Sequence, residues 1–90
     1  MSAAQRLVEL NRRRAVLALL FFAAGQTQPV RTLKQDLYVT HGINATMDQV
    51  RADLNWLASL GMVNTANDVA TITEAGREVI TGASKLPGEM

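Results

Sequence analysis

Residues 16–22 are seven apolar side chains in a row, Val-Leu-Ala-Leu-Leu-Phe-Phe, and they lie inside a segment that reads as helix. At about 100° per residue, seven consecutive side chains point in nearly every direction around a helix axis. A helix at the edge of a small domain buries a stripe, whereas one that is apolar all round must be covered on more than one side. Ser2 and Gln5 have the spacing of a capping box and Gly25 is a natural stop, so this helix is expected from about residue 3 to 24. The domain's own core can cover one side, and a second copy is the simplest cover for the rest. The expectation is a homodimer through the first helix, with Leu17, Leu19, Leu20, Phe21 and Phe22 in the interface.

Ninety residues allow one domain with a thin core. Arg12, Arg13 and Arg14 followed by the apolar segment 15–24 have the layout of a secretion signal. The apolar run is too short to span a bilayer, and Leu7, Val8 and Leu10 already give the preceding stretch a helical apolar pattern. Cleavage there would remove the first helix. A cytoplasmic protein with no membrane contact is therefore expected, in keeping with the absence of cysteine. A single histidine, His41 beside Gly42, cannot build a usual zinc site and fits a helix-end role. The six glycines are scattered and none forms a phosphate-cradling loop. No catalytic triad can be drawn, and Asp48 and Asp53 fall on different sides of their helix. The sequence points to a non-enzyme without cofactor or metal.

Pro29, Val30 and Arg31 read as a short extended piece, because proline disfavours helix just before it. Thr32 and Gln35 make a second capping box, for a helix over 33–40 that Gly42 ends. Thr46 and Gln49 make a third, opening a helix 47–60 that carries Met47, Val50, Leu54, Leu57 and Ala58 on one face and stops at Gly61. Residues 62–65 and 69–72 are β-prone runs around Ala66, Asn67 and Asp68, a hairpin pattern. Thr73 caps a last helix from Glu74 to about Thr81. Residues 84–90 are expected to be a flexible tail following a domain of residues 1–83. The fold class is mainly α with a small β-hairpin, in the order helix, strand, helix, helix, strand, strand, helix. Two short helices joined by a glycine turn and followed by a hairpin form a winged helix-turn-helix.

The same residues carry a family resemblance. Val50-Arg51-Ala52-Asp53-Leu54-Asn55-Trp56-Leu57-Ala58-Ser59-Leu60-Gly61-Met62-Val63 resembles the recognition-helix stretch of winged-helix regulators, where valine, spaced leucines, glycine and valine lead into the hairpin. Ala70-Thr71-Ile72-Thr73-Glu74-Ala75-Gly76-Arg77-Glu78-Val79 is similar to the stretch that leaves the wing, with Ile72 in the place of a leucine. Together with Leu86-Pro87-Gly88, residues 7–88 resemble a small winged-helix family encoded by Mu-like phages and prophages. The resemblance implies the fold and carries no particular activity with it.

In such a fold the helix 47–60 enters the DNA groove. Its face opposite the core shows Asp48, Gln49, Ala52, Asn55 and Ser59. Glutamine and asparagine can pair bidentately with adenine, and a small alanine can meet a thymine methyl. Gln49, Ala52 and Asn55 are thus candidate base readers for double-stranded DNA. Thr46 and Arg51, together with Arg31 and Lys34 flanking the start of the second helix, are candidate phosphate contacts. A plain solvated face accounts for the same polar residues.

Charge runs against strong DNA binding. The whole chain carries only +1. Between Asp36 and Glu78 there are six acids, Asp36, Asp48, Asp53, Asp68, Glu74 and Glu78, against Arg51 and Arg77, a net of −4. The hairpin tip has Asp68 and no base, although phosphate neutralisation supplies most non-specific affinity. The three consecutive arginines read either as solubilising side chains beside the apolar run or as phosphate contacts. Trp56 reads either as a rim residue over the hairpin base or as a hot spot for a protein. The alternative function is therefore a protein-interaction module that meets its partner at Trp56, Asp48 and Asp53.

Overall fold

A computed structural model describes residues 2–89 of the chain. Met1 and Met90, at the outer ends of the expected domain and tail, lie outside the described residues. The elements are α1 (Ala3–Phe22), a 3₁₀ turn (Ala24–Gln26), β1 (Thr27–Pro29), α2 (Val30–His41), α3 (Met47–Ser59), β2 (Val63–Ala66), β3 (Val69–Ile72) and α4 (Glu74–Thr81). The chain is mainly helical with one small antiparallel sheet, and the order is the one expected. Its Cα radius of gyration, 11.9 Å, suits a single domain of this length.

Local signals account for most boundaries. Ser2 and Gln5 form a reciprocal capping box at α1, as do Thr46 and Gln49 at α3. Gly42 takes the left-handed conformation that ends α2. α1 stops at Phe22, short of the expected residue 24, with Ala23 extended as its cap, and Gly25 takes its left-handed conformation in the 3₁₀ turn that follows. Thr73 accepts from the Gly76 amide at the start of α4, and its hydroxyl donates to the Gly61 carbonyl.

The start of α2 departs from expectation. It begins at Val30, ahead of the proposed Thr32–Gln35 box, with Pro29 as its cap residue and no side-chain cap. The Val30 amide donates instead to the Asp68 carbonyl at 2.8 Å. A helix N-terminus leaves its first amides without partners inside the helix. Here the hairpin tip supplies one partner across the fold, which local spacing cannot reveal.

β2 and β3 form the hairpin, with Val63 opposite Ile72 and Ala66 opposite Val69. The tip is Asn67-Asp68, both with positive φ (53° and 58°), as primed two-residue turns need. β1 adds to the other side of β3, pairing Thr27 with Thr71 and Pro29 with Val69, so the sheet order is β1-β3-β2. The extended piece thus ends at Pro29, where Val30 and Arg31 turn into α2.

The core answers the question posed by the apolar run. α1 packs against α2, α3, α4 and β3. Ala15, Val16, Leu17 and Leu20 are buried among Val30, Leu33, Leu37, Val50, Leu54, Leu57 and Val79. One chain therefore covers several sides of α1. Burying each such leucine stabilises the fold by about 1.5–3 kcal/mol. Gly76 sits buried where α4 crosses the hairpin base, and a Cβ there would overlap the Met62 carbonyl oxygen and crowd Ile72. The close approach of α4 to the chain at Met62 requires glycine. The stretch expected as a tail is tied to this body, because Leu86 is only 1% exposed and Glu89 accepts from Arg14 at 2.8 Å. No helix among the described residues is long and apolar enough to cross a membrane.

Candidate functional site

The hairpin tip, the N-terminal turn of α2 and the outer side of α3 enclose a cleft lined by Val30, Arg51, Asn55 and residues 65–68. Two tertiary contacts hold its walls. One is the Val30 amide to Asp68 carbonyl bond. The other is a forked ion pair, Arg51 Nη2 to Asp68 Oδ2 at 2.8 Å and Arg51 Nε to Asp68 Oδ1 at 3.3 Å. Asp48 stands 3.6 Å from the same guanidinium. The hydrogen bond from Arg51 holds the Asp68 carboxyl below the usual carboxylate range, and the same bond raises Arg51 further. A lowered folded-state value means that the pair contributes above the ordinary carboxylate pKa and is lost as pH falls through the lowered one. It is intact at neutral pH. Both groups are solvent-exposed, so its weight in stability is small.

Asn55 is exposed beside this cleft, with no hydrogen bond from its side chain among the described residues. Arg31 is exposed and Lys34 half-buried on α2, and neither joins an ion pair among the described residues.

Thr46 and Gln49 are partly engaged with each other. The Thr46 hydroxyl oxygen accepts from the Gln49 amide at 3.0 Å, and the Gln49 side-chain oxygen accepts from the Thr46 amide at 2.9 Å. Bidentate pairing with adenine needs both the oxygen and the nitrogen of a carboxamide. Gln49 has its oxygen engaged, so the expectation of a bidentate reader there is corrected to a capping residue whose NH2 group alone is free. Ala52 is exposed, and with Gln49 it faces a second cleft whose far wall is Ala4, Gln5 and Val8 of α1.

The largest correction concerns Asp53. It was expected to meet a protein partner under the alternative function, yet it is 1% exposed. Arg12, itself 7% exposed, grips it through Nε to Oδ2 and through Nη2 to Oδ1 at 3.1 Å. Arg13 Nε adds a bond to Oδ1 at 3.2 Å. The hydrogen bond to Asp53 raises the Arg12 pKa against the opposing effect of burial. Arg13 also reaches Glu9, and its guanidinium lies 4.1 Å above the Trp56 ring, a cation–π stack. Arg12 and Arg13 are therefore structural and unavailable to phosphate. Trp56 is half-buried under Arg13, and Asp53 cannot meet a partner. Of the proposed protein-binding set, Asp48 alone stands fully in solvent, its side chain 98% exposed. The pairing had a readable trace. Arg12 precedes Val16 by four residues and Leu20 by eight, while Asp53 follows Val50 by three and precedes Leu57 by four. A base and an acid thus each sit on a core stripe, where each needs the other.

Compared with protein-family models, with curated proteins and with solved structures, the chain finds no match.

The helix-one patch shrinks in the same way. Leu17 and Leu20 are fully buried within the chain and are not available to a second copy. Leu19 and Phe21 are half-buried, and Phe22 is 79% exposed. What is left of the five named residues is Phe22 with parts of Leu19 and Phe21. His41 lies exposed in the last turn of α2. Among the described residues no cluster of three or more histidine, aspartate or glutamate side chains could hold a metal ion.

Proposed function

We propose that this chain is a winged helix-turn-helix domain that binds double-stranded DNA, and that it serves as a small cytoplasmic transcription regulator of a Mu-like phage or prophage and not as an enzyme. The observation that carries this reading is the cleft that brings Asn55 of α3 beside the N-terminal turn of α2 and the hairpin tip. A groove-reading helix needs backbone-contacting elements around it in this way. Asn55 pairs with adenine, Ala52 meets a thymine methyl, and Arg31 and Lys34 take phosphates. Thr46 keeps its hydroxyl proton for a phosphate while its oxygen serves as cap.

This reading leaves Arg31 and Lys34 as its phosphate-contacting bases, with Arg51 tied to Asp68, so binding is weak at physiological salt unless the site is specific. A titration of duplex DNA at several salt concentrations is expected to give a slope of about two units per protomer. Replacing Arg31 and Lys34 together with alanine weakens binding about equally on all sequences. Asn55→Ala relaxes sequence preference, at about 1–3 kcal/mol on a specific site. Failure to bind any duplex at low salt would retire the reading. In its place would stand a protein-interaction module, which the exposed Asp48 and the neutralised Arg51 favour. Charge reversal at Asp48 would then abolish the complex, and the Arg31, Lys34 double variant would leave it intact.

A homodimer through α1 belongs to the same reading in reduced form, resting on Phe22 with Leu19 and Phe21. Two copies would present two α3 helices to a palindromic site. Light scattering at micromolar concentration checks it, and a monomer there removes it.

A further inference from the structure

We propose that Asp68 on the hairpin tip is a built-in competitor for nucleic-acid phosphate, occupying the Arg51 fork that a phosphate would otherwise take. The inference rests on the DNA-binding reading and names a regulation of that same face. Arg51 is the one base on α3, and its side chain is 43% exposed at the mouth of the cleft. On one edge of its guanidinium, Nε and Nη2 are both spent on the two oxygens of Asp68, and Nη1 on the other side stands 3.6 Å from Asp48. A guanidinium presents the same planar fork to a carboxylate and to a phosphate, so the two anions exclude one another at that edge.

The backbone argues that the carboxylate is held there. Asp68 has φ 58° in a two-residue turn, a conformation in which glycine is the least costly residue. Its carbonyl is fixed by the Val30 amide, which sets where the side chain starts. The hairpin therefore brings an acid to the base of the groove-facing helix, where a DNA-binding hairpin ordinarily brings a base. A duplex must displace Asp68 before a phosphate can take the Nε–Nη2 fork of Arg51, and the Asp68 charge then remains close to the phosphates.

The test is a double-mutant cycle of Asp68→Asn and Arg51→Ala, read as duplex affinity over a range of salt. Asparagine tolerates the positive φ and keeps the shape while removing the charge. Asp68→Gly, which suits the turn without a side chain, serves as the second variant. With Arg51 present, Asp68→Asn is expected to raise affinity about two- to fivefold and steepen the salt slope by about one unit. With Arg51→Ala in place, the gain should fall to a smaller, slope-neutral change. Equal gains in both backgrounds would mean simple removal of negative charge and would overturn the competitor. No gain would overturn it as well. If the wild-type chain binds no duplex at low salt, the DNA-binding reading itself fails and the competitor goes with it.

Discussion

Replacing Asp53 with alanine is expected to destabilise the fold by about 3–5 kcal/mol, the usual cost of removing one partner from a buried ion pair. The reason is what is left behind. Arg12 is 7% exposed, and without Asp53 both of its bonded donors lose their acceptor. Arg13 retains Glu9 and the Trp56 ring and suffers less. For a domain whose whole stability is about 5–15 kcal/mol, the loss is a large fraction. Urea unfolding should show a lower midpoint at an unchanged slope. A companion variant, Arg12→Met with Asp53→Leu, separates charge from packing. Exchanging a whole buried pair for apolar groups is often neutral, so the double variant should recover much of what Asp53→Ala loses. An Asp53→Ala protein within about 0.5 kcal/mol of wild type would show that water reaches the site and that the pair is a surface contact.

The second large effect is expected at Leu86. Its side chain is 1% exposed and belongs to the core cluster that holds α1 and α4. Leu86→Ala should cost about 2–5 kcal/mol through lost burial and the cavity left behind. Removal of residues 85–90 should cost at least as much, since it also takes away the Glu89 carboxylate that accepts from Arg14. A change within about 0.5 kcal/mol for either variant is what a frayed tail would give, and urea midpoints decide between the two.

What could be read from the chain alone was what is local. Capping boxes and glycine stops act across three or four residues, so α1, α3, α4 and the hairpin stand close to where spacing puts them. What could not be read depends on contacts across the fold. α2 starts early because a hairpin carbonyl caps it. Leu86 looks isolated among glycine, proline and polar residues, and nothing nearby in sequence says that it folds back. For the face proposed to bind DNA, spacing gave the side of the helix and not which side chains are free. Thr46, Gln49 and Arg51 were each placed on α3 or its cap, and each turned out to be engaged, two with each other and one with Asp68. Arg12, Arg13 and Asp53 were read as exposed charges because a polar residue on a helix is more often solvated than buried.

Hairpin tips are ordinarily where a chain accepts inserted residues, tags or labels. The Asn67-Asp68 tip is a poor choice for any of these. Its backbone completes the first turn of α2 and its carboxylate anchors a side chain of α3. A single added residue there would disturb its contacts to two helices at once, so the length of this two-residue turn is constrained more tightly than its exposure suggests.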